Sequence, residues 1–283
     1  MNILSIQSWV AYGHVGNASA VFPMQRLGHE VWAIHTVQFS NHTGYGAWKG
    51  RVYDGPMIEE LVEGIAERGM LASCDGVLSG YMGSPDIGTA IVGAARRVKA
   101  ANPQALYCCD PVIGDVGRGI FVRPGIPEFM RDQAVPAADI ITPNQFELEY
   151  LSGRTVTSLA EALAAVAAVR ATGPRIVMVT SLIVEDTPDE AIDLLACGPN
   201  GAFRLRTPRL SVHVNGAGDA IAALFFVHCA TTGDEALALS RAASSVYGLL
   251  KRTEAAGSRE ILTVAAQDEF VAPTQVFTPE RLA

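Results

Sequence analysis

Lysine is nearly absent from this chain. Lys49, Lys99 and Lys251 are the only three in 283 residues, and none follows a glycine. No G-x-x-x-x-G-K-[ST] loop exists, which excludes a P-loop kinase. No complete G-x-G-x-x-G follows the first apolar run, which argues against a dinucleotide enzyme. The five cysteines contain no C-x-x-C pair, and the six histidines show no metal-ligand spacing, so neither a zinc site nor a dithiol motif is indicated. Scattered cysteines, odd in number and with Cys108 and Cys109 adjacent, point to free thiols and a reducing, cytoplasmic setting. No apolar run reaches the roughly 18 residues that a membrane span needs. The first residues, MNILSIQSWV, have no basic leader and no A-x-A cleavage site, so a signal peptide is not expected. Positive charge is also scarce. A net charge of −8 argues against broad binding to nucleic acid or to an anionic membrane.

What is present is a large apolar fraction, 49%, with 18% charged residues, which fits a globular protein with a sizeable core. Short apolar runs alternate with longer helical patterns. NILSI (2–6) reads as a strand and 17–27 as a helix. EVWAIHTV is a strand and PMIEELVEGIAERG an amphipathic helix. DGVLSGY, ALYCCDP, ADIITPN and RIVMVTSL read as further strands, with helices at DIGTAIVGAARRVKAAN and SLAEALAAVAAVRATG. This alternation predicts a mostly parallel sheet covered on both faces by helices, a three-layer α/β/α arrangement. AIDLLACGPNGAFRLR differs: two apolar runs flank Gly-Pro-Asn-Gly, a hairpin signal. Two helices follow, near 219–230 and 234–252. No linker, repeat or low-complexity segment divides the chain, so one domain over 1–283 is the simplest reading.

In such sheets ligands bind beyond the carboxyl ends of the strands. Each predicted strand here ends in polar or turn-forming residues: QS, SNHTGYG, GYMGS, DPVIGDVGRG, TPNQFE and TSL. Turn chemistry accounts for any one of these; six together indicate a shared site. The stretch VNGAGDAIAALFF places two glycines and Asp219 in front of a helix that is apolar on every side. A helix N-terminus offers unpaired amides and partial positive charge, and glycines let an anion approach. A carboxylate there repels phosphate unless something sits between them. A hydroxyl that yields its proton to Asp219 and attacks a phosphorus satisfies both, which is the arrangement of a kinase.

GAGD before an apolar helix resembles the C-terminal signature of the ribokinase-like superfamily. The stretch from SIQSWVAYGHVGN through VQFSNHTGYGAWKG, followed by GYMGS, CDPVIGD and TPNQFELEYLSG, resembles the pyridoxal kinases, closest to the bacterial pyridoxamine/pyridoxal kinase type, over nearly the whole chain. The resemblance implies a ribokinase-like fold and phosphorylation by ATP of the 5′-hydroxymethyl group of pyridoxal in vitamin B6 salvage. It implies that Ser8, His42, Thr43, Gly44 and Tyr81 meet the substrate. Asp219 is then the catalytic base, with the amides of Gly216, Ala217 and Gly218 stabilising the transferred phosphoryl group. Asp110, Thr142, Glu147 and Thr180 match nucleotide- and metal-side positions, and Thr207, Pro208, Arg209 and Leu210 flank the nucleotide. Asp110, Asp115 and Glu147 near ATP phosphates make chemical sense with Mg²⁺, a hard cation that prefers oxygen ligands. Kinship also suggests a monovalent cation and a homodimer. Two departures stand out. Thr180 occupies a place where some bacterial relatives carry lysine, and the lid DVGRGIF has Arg118 as its only cation near the tip. Two other readings, a hydroxymethyl-pyrimidine kinase and a vitamer-binding protein with little turnover, are distinguished by the SNHTGY loop and by Asp219 respectively.

Overall fold

The computed structural model describes residues 1–282. In chain order the elements are β1 (Asn2–Val10), α1 (Asn17–Arg26), β2 (Glu30–Phe39), β3 (Gly50–Val52), α2 (Gly55–Glu67), β4 (Gly76–Ser79), α3 (Pro85–Ala101), β5 (Leu106–Cys109), β6 (Gly114–Asp115) and β7 (Gly119–Ile120). A short α4 (Ile126–Phe129) runs through a wide turn at Met130–Ala134 into α5 (Val135–Ala137) and β8 (Ile140–Ile141). Then come α6 (Gln145–Ser152), α7 (Leu159–Arg170), β9 (Ile176–Leu182), β10 (Ala191–Gly198), β11 (Gly201–Pro208), α8 (Ala217–Thr232), α9 (Glu235–Ala255), α10 (Asp268–Val271) and β12 (Glu280–Arg281).

Ten strands form one sheet in the order β12-β11-β10-β9-β8-β5-β4-β1-β2-β3. The six central strands, β9 to β2, run parallel; antiparallel neighbours extend it at both sides. One face carries α1, α8 and α9, whose core includes Met24, Phe225, Phe226 and Leu249. The other carries α2, α3, α6 and α7, with Ile58, Ile91, Leu148 and Val166. Helices on both faces explain why the central strands read as unbroken apolar runs. α8 is buried through Ala220–Cys229, as its all-apolar sequence predicts.

Several details differ from the sequence reading. β1 continues to Val10, so Ser8 lies within the strand. The strand expected over ADIITPN shrinks to two residues. Pro143 has no N–H to extend a ladder, and Asn144 already caps α6, its side chain accepting from the Glu147 N–H at 2.9 Å. β3, β6, β7 and β12, each two or three residues long, are too short to show periodicity. The hairpin of β10 and β11 is present, paired from Ala191↔Pro208 to Gly198↔Gly201.

Candidate active site

The carboxyl ends of the parallel strands open into one cavity of about 420 Å³, within the usual range for small-molecule sites. The strand order sets out its wall in sequence. Thr180 and Ser181 from β9, Thr142 after β8, and Asp110 after β5 line one half. Tyr81 after β4, Ser8 and Val10 from β1, and Val37 and Phe39 from β2 line the other. Six strands at about 4.8 Å spacing give a trough of roughly 24 Å, long enough for a nucleotide and a second small molecule end to end. His42 and Thr43 close the β2 end, Arg118 and Phe121 overhang from beside β7, and the start of α8 adds Gly216 to Asp219.

Two local irregularities aim side chains inward. Between Gln7 and Trp9 the register of β1 against β2 shifts, so Ser8 lies opposite both Thr36 and Val37. Between β9 and β10, Leu194 lies opposite both Thr180 and Ser181, and Ser181 takes a left-handed φ of 53°. Bulges of this kind redirect side chains beside binding sites.

The start of α8 is built for an anion. Gly216 has φ 90° and ψ −8°, and no side chain caps the helix. A Cβ at 216 would run into the carbonyl of His14, so only glycine fits. Its own carbonyl accepts from Ser19 Oγ at 2.7 Å, which fixes the turn. The first helical amides and the positive end of the helix dipole are thus presented to the cavity. Asp219, partly buried in the first turn, has its carboxyl pushed up to about 6 by burial, against the pull of the Gly16 and Asp219 amides.

Two further carboxylates stand nearby. Asp110 accepts from Thr142 Oγ1 at 2.8 Å. Burial, then the charges of Glu147 and Asp219, hold its carboxyl well above the usual range. Glu147 is pushed up to about 8 by burial, although the Ile113, Asn144 and Gly114 amides oppose the shift. Those amides approach its two oxygens at 2.9, 2.9 and 3.4 Å, so Glu147 also completes the N-terminal cap of α6. Asp115 lines the cavity from β6. Among the described residues no three His, Cys, Asp or Glu side chains are grouped to hold a metal ion. The expected trio of Asp110, Asp115 and Glu147 is therefore not a preformed ligand cluster, because Glu147 is turned to backbone amides.

Of the residues expected from sequence, Ser8, His42, Thr43, Tyr81, Asp110, Asp115, Thr142, Glu147, Thr180 and Gly216 to Asp219 line this cavity. Gly44 does not; its amide turns back to His42 Nδ1 at 3.1 Å. Thr207, Pro208, Arg209 and Leu210 do not line it either. Thr207 and Pro208 end β11, with Arg209 and Leu210 just beyond it, two strands outside β9, or roughly 10 Å away. Sequence reasoning passed over Gly16, Asn144 and Ser181. Asn144 and Ser181 lay inside the strand exits TPNQFE and TSL, and Gly16 inside the stretch SIQSWVAYGHVGN, but the left-handed φ of Ser181 leaves no mark in sequence.

A family model described as phosphomethylpyrimidine kinase matches residues 57–263. The chain is 64% identical over 281 residues to a pyridoxal kinase of Granulibacter bethesdensis, covering 98% of both chains. It is 57% identical to one from Deinococcus radiodurans, over 99% of this chain and 96% of the relative. Its fold superposes on the pyridoxal kinase of Leishmania donovani in complex with ADP and pyridoxamine, with TM-score 0.91 and 31% identity, over 100% of this chain and 99% of that one.

Proposed function

The chain belongs to the pyridoxal kinase family, and on that premise we propose how its residues divide the work of moving a phosphoryl group from ATP to the 5′-hydroxymethyl group of pyridoxal. The vitamer occupies the half walled by Tyr81, Ser8, Val37 and Phe39, with His42 and Thr43 at its end. The nucleotide phosphates occupy the half walled by Asp110, Thr142 and Thr180. Asp219 stands between the halves. It takes the hydroxyl proton as the alcohol oxygen attacks the γ-phosphorus; the bond to the β,γ-bridging oxygen breaks and ADP leaves. The amides of Gly216, Ala217 and Gly218 hold the charge that develops on the transferred group. The observation that carries this reading is the pairing of an uncapped helix N-terminus with a carboxylate in its first turn, facing one trough.

Three acidic residues beside ATP phosphates require a compensating cation. Mg²⁺ would take that place, held by Asp110 and Asp115 together with the nucleotide, with Glu147 behind them. When bound, it neutralises phosphate charge. A monovalent cation beside Thr180 would supply the charge that lysine gives in some relatives. Thr207 to Leu210 flank the outer, base end of the nucleotide. The same reading takes residues 1–283 as one kinase domain in the cytoplasm, in keeping with its free, buried cysteines, and as a homodimer built on an open sheet edge.

The test is ADP release with MgATP and each candidate alcohol, beside Asp219→Asn. Rapid turnover with pyridoxal that falls by roughly 10²–10⁴-fold in the variant supports the base assignment. Turnover with a hydroxymethyl-pyrimidine but not pyridoxal overturns the substrate, and vitamer binding without ADP overturns catalysis.

A further inference from the structure

Residues 42–48 form the loop that brings His42 and Thr43 to the cavity. Inside the loop, hydrogen bonding is local. Asn41 Nδ2 donates to the carbonyls of His42 and Ala47 at 3.1 and 2.9 Å, and the Lys49 amide donates to Ser40 Oγ at 3.0 Å. Among the described residues, one hydrogen bond joins 42–48 to a segment beyond 40–49: the Tyr45 hydroxyl donates to Glu260 Oε1. The Tyr45 ring is flanked by the Arg259 guanidinium, 5.0 Å from its centroid, and by Tyr12, whose ring centroid is 6.2 Å away.

Glu260 is anchored and has a second duty. Ile261 beside it is fully buried against α8 residues, and the Leu262 amide donates to Thr253 Oγ1 at 3.2 Å. Oε2 of Glu260 accepts from the His14 amide at 3.2 Å. A Cβ on Gly13, where φ is 92°, would collide with that carboxylate. The 11–16 turn is therefore shaped around Glu260. That turn supplies Val15 and Gly16 to the cavity wall, and the Gly16 amide bears on Asp219.

We propose that Glu260 and Tyr45 are positioning residues that latch the His42–Thr43 loop and the 11–16 turn to one anchored carboxylate, so that the substrate end of the trough is preformed. Neither side chain lines the cavity, and neither reacts. The Tyr45 arm acts on vitamer binding rather than on phosphoryl transfer, because the loop it ties walls the vitamer half; the Glu260 arm also reaches Asp219 through Gly16. This inference rests on the assignment of that half to the vitamer.

Tyr45→Phe removes the hydroxyl and keeps the ring. In steady-state kinetics it should raise KM for pyridoxal by about 3- to 10-fold, the effect of one charge-assisted, solvent-accessible hydrogen bond. kcat, KM for ATP and Tm should stay within about the scatter of a surface change. Glu260→Ala should raise the same KM further, with Glu260→Gln between the two, since one amide oxygen cannot serve both donors. Amide exchange of 42–48 should quicken in Tyr45→Phe while α8 and α9 keep their protection. Thr43→Ala is run in parallel. If Thr43→Ala raises KM for pyridoxal and Tyr45→Phe does not, the latch is overturned. If Tyr45→Phe alters kcat and KM for ATP as strongly as KM for pyridoxal, it supports the fold generally and the positioning role is overturned. If Thr43→Ala changes nothing, the vitamer placement fails, and the latch is judged by exchange alone: unchanged exchange overturns it.

Discussion

At Asp219, burial that lifts the carboxyl to about 6 also defines the pH at which it can accept a proton. As the proposed base, Asp219 must be ionised, so kcat/KM should fall as pH drops through about 6, and a pH–rate profile on pyridoxal reads this directly. Stability has the opposite slope. The folded protein holds this proton more tightly than the unfolded chain, so the contribution is favourable at low pH and is lost between about pH 4 and 6. Asp219→Asn removes that loss. At pH 8 the variant should be more stable by about 1–2 kcal/mol after allowance for solvent screening, measurable by urea denaturation. Gly216 makes the complementary case. With φ at 90° and the His14 carbonyl against its missing Cβ, Gly216→Ala should cost at least about 1–3 kcal/mol and displace the amides at the start of α8. Lower Tm together with lost turnover checks it.

At the scale of elements, α8 serves two ends. Its first turn faces the site, and its middle is the core of one sheet face. His228 interrupts that core. Its Nε2 has no hydrogen-bond partner; burial, then the charges of Arg241 and His29, lowers it to about 4. The folded state therefore excludes a proton that the unfolded chain accepts near 6.5. The resulting stability is full above about pH 6.5 and disappears as pH falls toward 4, a loss on the order of 3 kcal/mol. His228→Leu should flatten this part of the acid limb, so the Tm difference between variant and parent should widen in the variant's favour from pH 7.5 to 4.5. α6 shows a similar double use. Oε2 of Glu147 caps its own helix while Oε1 holds the Ile113 and Gly114 amides at the cavity wall, so Glu147→Gln should lower both Tm and affinity for MgATP, read by thermal shift with and without nucleotide.

Across the whole molecule, the two helical layers share the same six parallel strands, and neither core survives loss of the sheet between them. Urea unfolding should be one transition, coincident by near- and far-ultraviolet dichroism. A saturating ligand at 100 times its Kd should raise stability by about 2.7 kcal/mol, and MgATP with a pyridoxal analogue should act together because they share one trough. Two separable transitions would contradict a single kinase domain.

Much of this was legible in the residues. Periodicity placed the main helices and the longer strands, since a strand buried on both faces has to be apolar throughout. Gly-Pro-Asn-Gly placed the hairpin, and the glycines before Asp219 marked the uncapped start of α8, because φ near 90° at Gly216 is open to little else. Polar strand exits marked most of the wall. Elsewhere pattern was insufficient. The two-residue strands are shorter than any period. Gly44 and Thr207 to Leu210 sit near the site in sequence logic but off its wall in space, because a local turn and two added antiparallel strands decide their positions. The left-handed Ser181, the double use of Glu147 and the bond from Tyr45 to Glu260 depend on partners far away along the chain. Local chemistry determined which segments become strands and helices and which carry reactive groups. The tertiary structure alone decided the order of strands along the trough, and with it which carboxylates meet, how far burial raises them, and which loops are tied together.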